Sequence, residues 1–344
     1  MTNAFTVIVT ADRYGAASGD FAREHELLQQ FPELKVEIRG EPGNTEDHLI
    51  AQGQRADVLV LSTRDPVTRR ICENIPRVKV IARYGVGLDN VDLDAAADHG
   101  IVITHYPQYC TSEVADHAVA MVLNLNRRIS ELNQDLHEGA WATKGRQTAQ
   151  IVRGPLNAMF ASTVGLIGLG RIGEAVAARI APFGSRILVH DPYIDPDTIR
   201  RSGGTPATFD ELLAESDVIT LHCPLTPETR GLLGPEAFAK MKPTVAVVNT
   251  CRGPVINEAA LIDFLTSNPR ARASLDVMEV EPLSMESPLF QLPNVVLTPH
   301  SAYYSEQSAR TVRDQTFLSA IAVLRGERPP TVANPAVLER VALR

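Results

Sequence analysis

The chain has 344 residues, with 33 Lys and Arg against 41 Asp and Glu, a formal net charge of −8. Its 44% hydrophobic and 22% charged composition is that of a folded globular protein and excludes a disordered chain. The acidic balance argues against nucleic-acid binding, which wants a basic face, and the length suggests two domains.

The four cysteines, Cys72, Cys110, Cys223 and Cys251, include no C-x-x-C pair. Zinc-ribbon and thioredoxin-type readings therefore lose their support, and no metal site is expected. Sparse, unpaired cysteine fits a reducing, cytoplasmic setting. The first ten residues carry no basic n-region and run straight into a β-like apolar segment. No run of about 18 apolar residues occurs, so no transmembrane helix and no membrane partner are expected.

Short aliphatic runs alternate with longer amphipathic stretches. Residues 7–9, 58–61, 78–81 and 101–104 read as buried strands, bounded by Gly, Pro, Asp or Asn. Residues 113–128 follow with a helical pattern. A second series of strands is expected at 163–167, 187–190, 218–221, 245–249, 273–276 and 295–298, with a helix over 171–183. Residues 304–325 read as helical again, before a Pro-rich tail. Such alternation implies an α/β fold with two Rossmann-like or flavodoxin-like domains, each a parallel sheet covered by helices. The last helix is expected to return to the first domain. The expected boundaries are 1–104 with 305–344 for one domain and 105–304 for the domain inserted in it.

The segment from Thr163 to Gly173 contains G-x-G-x-x-G at Gly168, Gly170 and Gly173, with Arg171 and Ile172 between. It follows an apolar strand and opens a helix. The glycines permit a tight turn, a close pyrophosphate and a close helix, and the helix N-terminus faces the phosphates. Asp191 ends the next strand, eighteen residues past Gly173. A carboxylate there accepts ribose hydroxyls and repels a 2′-phosphate, which favours NAD over NADP.

Three further segments end apolar strands, where ligands gather in open α/β sheets. They carry Thr250 and Arg252, then Asp276 and Glu281, then His300. Hydride transfer to a 2-oxo acid needs these types. A guanidinium grips a carboxylate by a forked pair of bonds, an imidazole moves the proton, and a carboxylate orients the imidazole. Each residue also has a structural reading, as a surface ion-pair member, a solvated acid or a packed ring, and spacing alone does not show that they converge. His222 with Cys223 reads as a packed or cofactor-lining pair, because no further ligands stand at zinc spacing. His117 reads as a core or interface histidine.

From about Val78 to Ser305 the chain resembles the D-isomer-specific 2-hydroxyacid dehydrogenases. Within them, the runs from Arg83 to Asn90 and from His300 to Ser308 look most like the C-terminal-binding protein branch. The resemblance implies that Arg252 binds the substrate carboxylate, His300 is the acid/base and Glu281 its partner. It implies that Asp276 holds the nicotinamide carboxamide and that the loop after His222 passes the nicotinamide ribose. Backbone N–H groups of Gly85, Val86 and Gly87 would meet a small anionic substrate, a 2-oxo or 2-hydroxy acid, with Arg83, Tyr84, Asn90 and Tyr303 near by and with domain closure over the site. Gly139 and Trp141 resemble the end of an arm that packs on a second subunit, so a homodimer through the helix and arm around residues 111–141 is implied. Tyr303 and Ser301 depart from the branch, which usually carries Trp and Ala there. Two other readings share the scaffold: an NAD(H)-binding corepressor-like protein, and a dehydrogenase of a phosphorus oxyanion such as phosphite or a phosphonate.

Overall fold

The computed structural model describes residues 4–145 and 156–344. It falls into two compact units, Met1–Tyr109 with Ser305–Arg344, and Cys110–Tyr304. The architecture is α/β with two wholly parallel sheets.

In the first unit β1 (Phe5–Val9), β2 (Val36–Gly40), β3 (Val58–Ser62), β4 (Val80–Tyr84) and β5 (Val102–Thr104) lie in the order β2-β1-β3-β4-β5. That is the flavodoxin-like order. The central strands are buried on both faces, which is why β3 and β4 read as unbroken aliphatic runs. Parallel neighbours need crossovers, and the helices Ala22–Leu28, Glu46–Gly53, Arg69–Asn74 and Leu93–Asp98 supply them.

The helix Glu306–Leu324 completes this unit by packing on β4 and β5. Ser305 caps it through a reciprocal pair of bonds with Ser308. An ion pair with a buried carboxylate fastens it. Arg313 donates from Nε and Nη2 to the Glu24 carboxylate at 2.7 and 2.9 Å, and Glu24 is fully buried. The Arg313 guanidinium also lies over the Tyr14 ring, 5.2 Å from its centroid. Burial, and then the Glu24 charge, push the Tyr14 phenol well above its ordinary pKa, so it stays neutral.

In the second unit β6 (Thr163–Ile167), β7 (Arg186–His190), β8 (Thr205–Pro206), β9 (Val218–Leu221), β10 (Ala246–Asn249), β11 (Arg272–Leu275) and β12 (Val295–Leu297) lie in the order β12-β11-β10-β9-β6-β7-β8. This is the doubly wound dinucleotide-binding order, and its direction switches between β6 and β9. The helices Thr111–Arg127 and Arg171–Ile180 cover one face of this sheet through Ala118, Val122, Val176 and Ile180. The opposite face is covered through Leu212, Phe238, Leu261 and Leu265.

Two strands were not anticipated, β2 and β8. Both are edge strands with no fully buried residue, so neither makes an aliphatic run. Element ends also differ from the sequence expectation. Arg128 stops its helix in the left-handed conformation at φ 54°. The helix expected to reach residue 183 ends at Ile180, where Pro182 sits in a following 3-10 turn.

Arg313→Ala would strand the buried Glu24 charge. It should cost about 3–5 kcal/mol in urea unfolding of the first unit, and the double change Glu24→Leu with Arg313→Met should restore most of that. Equal stability of Arg313→Ala and wild type would remove the ion pair as the fastening.

Candidate active site

All seven strands run parallel, so the loops after β6, β7, β9, β10, β11 and β12 leave the same edge of the sheet, and the chemistry-bearing residues lie on them. The first is the turn after β6. Gly168 has φ 93°, and a Cβ there would stand 2.8 Å from the Cys223 nitrogen. A Cβ on Gly173 would stand 2.3 Å from the Gly168 oxygen, so only glycine lets the helix approach the turn. Around Gly170 nothing lies within 4 Å of a Cβ position. As N-cap, Gly170 also leaves the first N–H groups, at Arg171 and Ile172, without a side-chain cap.

Asp191 stands one residue past β7 and is drawn onto this turn. Its carboxylate accepts the Leu169 N–H at 2.8 Å and the Tyr193 N–H at 3.0 Å. Each oxygen keeps a lone pair for a hydroxyl. Past β9, His222 shares a hydrogen bond with the Thr220 hydroxyl through Nε2 at 2.9 Å. Its Nδ1 and the Thr250 hydroxyl past β10 are buried polar atoms with no partner among the described residues. Burial holds His222 far below the ordinary histidine pKa, so its ring is neutral. An uncapped helix N-terminus, a carboxylate at the second strand and two orphaned polar atoms fit a dinucleotide; Gly170–Gly173 would hold its pyrophosphate, Asp191 its adenosine ribose, and His222 and Thr250 would face its nicotinamide side.

A histidine–carboxylate pair lies on the loops after β11 and β12. His300 Nδ1 is 2.8 Å from Glu281 Oε2. His300 sits at φ 52°, a conformation costly for a residue with a side chain. Its N–H donates to the Asp276 carbonyl at 2.7 Å and to the Thr298 carbonyl at 3.0 Å. The Asp276 carboxylate, fully buried, accepts the Ser301 and Ala302 N–H groups, each at 2.9 Å, and the Thr298 hydroxyl. Asp276 therefore braces the His300 turn, with one carboxylate lone pair left over. His117, on the helix Thr111–Arg127, reaches the same network through Nε2 to the Thr298 hydroxyl at 3.2 Å. That link was missed in the sequence reading, where His117 was only a core or interface residue.

Arg252 is set by a tight turn past β10. The Asn249 amide donates to the Arg252 carbonyl at 2.9 Å, its Oδ1 accepts the Cys251 N–H at 3.0 Å, and Arg252 Nη1 donates to the Cys251 carbonyl at 2.7 Å. The Tyr303 ring meets the His300 ring edge-on at 6.4 Å.

Within the first unit, the loop after β4 is built around Arg83. This side chain is fully buried and donates to the Asp65 carbonyl at 2.8 Å, to Asn90 Oδ1 at 2.7 Å and to the Gly87 carbonyl at 3.4 Å. Burial lowers its pKa to about 10, so it remains charged. Arg83, expected near the substrate, is thus turned inward and shapes the loop. Asn90 donates in turn to the Thr63 and Asp65 carbonyls. Gly85, at φ 141°, turns the chain, and Tyr84 packs edge-on against Tyr14 at 5.1 Å. Among the described residues no acceptor meets the Val86 or Gly87 N–H. No group of three or more potential metal ligands occurs among the described residues, and no described helix is long and apolar enough to cross a membrane.

A family profile described as D-isomer specific 2-hydroxyacid dehydrogenase, NAD binding domain, matches residues 119–302. The chain belongs to that family. It is 38% identical over 300 residues to a D-3-phosphoglycerate dehydrogenase of Mycobacterium tuberculosis, covering 87% of this chain and 55% of that protein. It is 36% identical over 291 residues to a glyoxylate reductase of Korarchaeum cryptofilum, covering 85% and 86% of the two chains. The chain thus spans about half the length of the phosphoglycerate dehydrogenases it matches. Among solved structures, a D-lactate dehydrogenase from Aquifex aeolicus complexed with NAD and lactic acid superposes with a TM-score of 0.79 at 27% identity, covering 98% of each chain. The cofactor of this family member is NAD.

Asp191→Asn keeps an acceptor for Leu169 but loses the charge. In fluorescence titrations it should bind NADH more weakly and narrow the NADH-to-NADPH preference about tenfold, the scale of one charged hydrogen bond. An unchanged preference would place the ribose contact elsewhere.

Proposed function

We propose that this protein is a dehydrogenase that interconverts a D-2-hydroxy acid and its 2-oxo acid. The observation that carries the reading is the His300–Glu281 pair at 2.8 Å, on the same sheet edge as the dinucleotide turn. Bound NAD supplies or accepts the hydride. Glu281 fixes the imidazole through Nδ1, which leaves Nε2 for the substrate oxygen. In reduction His300 delivers a proton there, and in oxidation it removes one. Arg252 grips the carboxylate and draws charge from the neighbouring carbonyl. Within the first unit, we assign the Val86 and Gly87 N–H groups to binding an anion.

The relatives named above act on substrates differing in size, and this chain's own acid is to be sought in that range. Tyr303 offers both an aromatic face and a hydroxyl beside His300, which supports a small or polar 2-oxo acid over a large apolar one. A corepressor-like role would need the dinucleotide only as a structural ligand. A hydrogen-bonded acid–base pair, with relatives named as dehydrogenases and reductases, favours turnover. Exposed Ile129, Leu136 and Trp141 on the helices Ile129–His137 and Ala140–Lys144 support a homodimer through this arm, measurable by sedimentation.

Assays that follow NADH absorbance over glyoxylate, lactate, 3-phosphoglycerate and phosphite test the reading. Turnover of phosphite alone would replace it. His300→Ala should lower kcat about 100- to 10,000-fold with little change in NADH affinity, and equal losses in both would sink the acid–base role. Arg252→Lys keeps the charge and loses the fork, so KM for the acid should rise about tenfold or more. An unaltered KM would release Arg252 from the carboxylate.

A further inference from the structure

Two cysteines that the hydride chemistry leaves unused lie side by side. The parallel register pairs Leu221 of β9 with Asn249 of β10. Cys223 and Cys251 each follow two residues later, on loops leaving neighbouring strands in the same direction. Parallel neighbours run about 4.8 Å apart, within the Cα separation of about 4.4–6.8 Å that a disulfide accepts. Each thiol perturbs the other electrostatically. Cys251 Sγ donates to Asn249 Oδ1 at 3.1 Å. Both residues are partly accessible, whereas Cys72 and Cys110 are buried.

We propose that Cys223 and Cys251 form a reversible oxidation site, which hydrogen peroxide closes to a disulfide and which bound dinucleotide protects.

The two thiols have different roles. The neighbouring Cys251 lowers the Cys223 pKa, whereas burial raises that of Cys251. Cys223 is thus the attacking thiolate and Cys251 the resolving thiol. Burial pushes Cys72 up to about 11, which leaves it unreactive. The Cys223 sulfur attacks one peroxide oxygen and the O–O bond breaks. Cys223 becomes a sulfenic acid, and the departing hydroxide takes a proton to form water. Cys251 sulfur then attacks Cys223 sulfur, the S–O bond breaks, and hydroxide leaves as water with the Cys251 proton. Two thiols lose two electrons and one peroxide becomes two waters. A thiol such as dithiothreitol reverses the step by exchange.

The site is coupled to its surroundings on both sides. The Cys223 backbone is the close neighbour of Gly168, so a dinucleotide on that turn covers the Cys223 side. The Cys251 carbonyl holds the Arg252 guanidinium, so drawing Cys251 toward Cys223 pulls on the turn that aims Arg252. The expected loss of turnover rests on the proposed dehydrogenase activity, and the disulfide itself does not.

The test uses the reduced whole chain, treated with hydrogen peroxide, then unfolded and alkylated. The thiol count should fall from four to two, with one disulfide-linked peptide pair holding Cys223 and Cys251, restored by dithiothreitol. NADH at ten times its Kd should slow the loss about tenfold, because only the free form reacts. Cys251→Ser should stop at a sulfenic acid on Cys223 that a dimedone probe labels. Four thiols still alkylatable, a bridge between other cysteines or between chains, or no protection by NADH would each overturn the proposal. A clean Cys223–Cys251 bridge in a protein that turns over no 2-oxo acid would uphold this site and sink the dehydrogenase reading.

Discussion

Asp276 carries more of the second unit's chemistry than its position suggests. Its carbonyl and its carboxylate together hold four groups of the 298–302 segment: the His300, Ser301 and Ala302 N–H groups and the Thr298 hydroxyl. A buried carboxylate is tolerable only when several donors satisfy it. The same donors force His300 into a left-handed backbone at φ 52°. The turn cannot relax without stranding the charge, and the charge cannot be removed without releasing the turn. His300 therefore points at Glu281 because of a brace that needs to take no part in proton transfer.

The first unit uses buried charge in the same way. Arg83 is wholly inside, with its guanidinium on two carbonyls and the Asn90 amide oxygen. It fixes a glycine loop from within, which leaves backbone N–H groups as that loop's outward donors. An overall charge of −8 describes the solvated exterior. The positive charges that shape the loops are set by burial and by fixed partners.

What could be read from the amino-acid order follows from how local each demand is. The turn at Gly168–Gly173 was legible because the close approach of helix to turn requires glycine there. The inner strands were legible because burial on both faces leaves an unbroken aliphatic run. Edge strands β2 and β8 were not, since half-exposed residues carry no such run. Among the catalytic candidates, residue type pointed to Arg252, Glu281 and His300, and the resemblance gave them roles. The approach of His300 to Glu281 needed the sheet. The bond from His117 to Thr298 spans 181 positions, and nothing in the neighbourhood of either residue marks it. Arg83 carries the opposite lesson, because a basic residue next to a glycine loop gives no sign of which way it faces.

The tie between Arg313 and Glu24 has a consequence for how the chain is made. A ribosome releases the second unit, Cys110–Tyr304, as one unbroken segment, free to collapse on itself once it has emerged. The first unit emerges earlier but stays incomplete. Its Glu24 carboxylate, on the helix Ala22–Leu28, lacks the Arg313 counter-charge until Ser305–Arg344 has left the exit tunnel. Until then the exposed flank of β4 and β5 is a surface in search of a cover. Of the two units, the one begun first is thereby completed second, and its vulnerable interval lasts as long as translation of the segment in between.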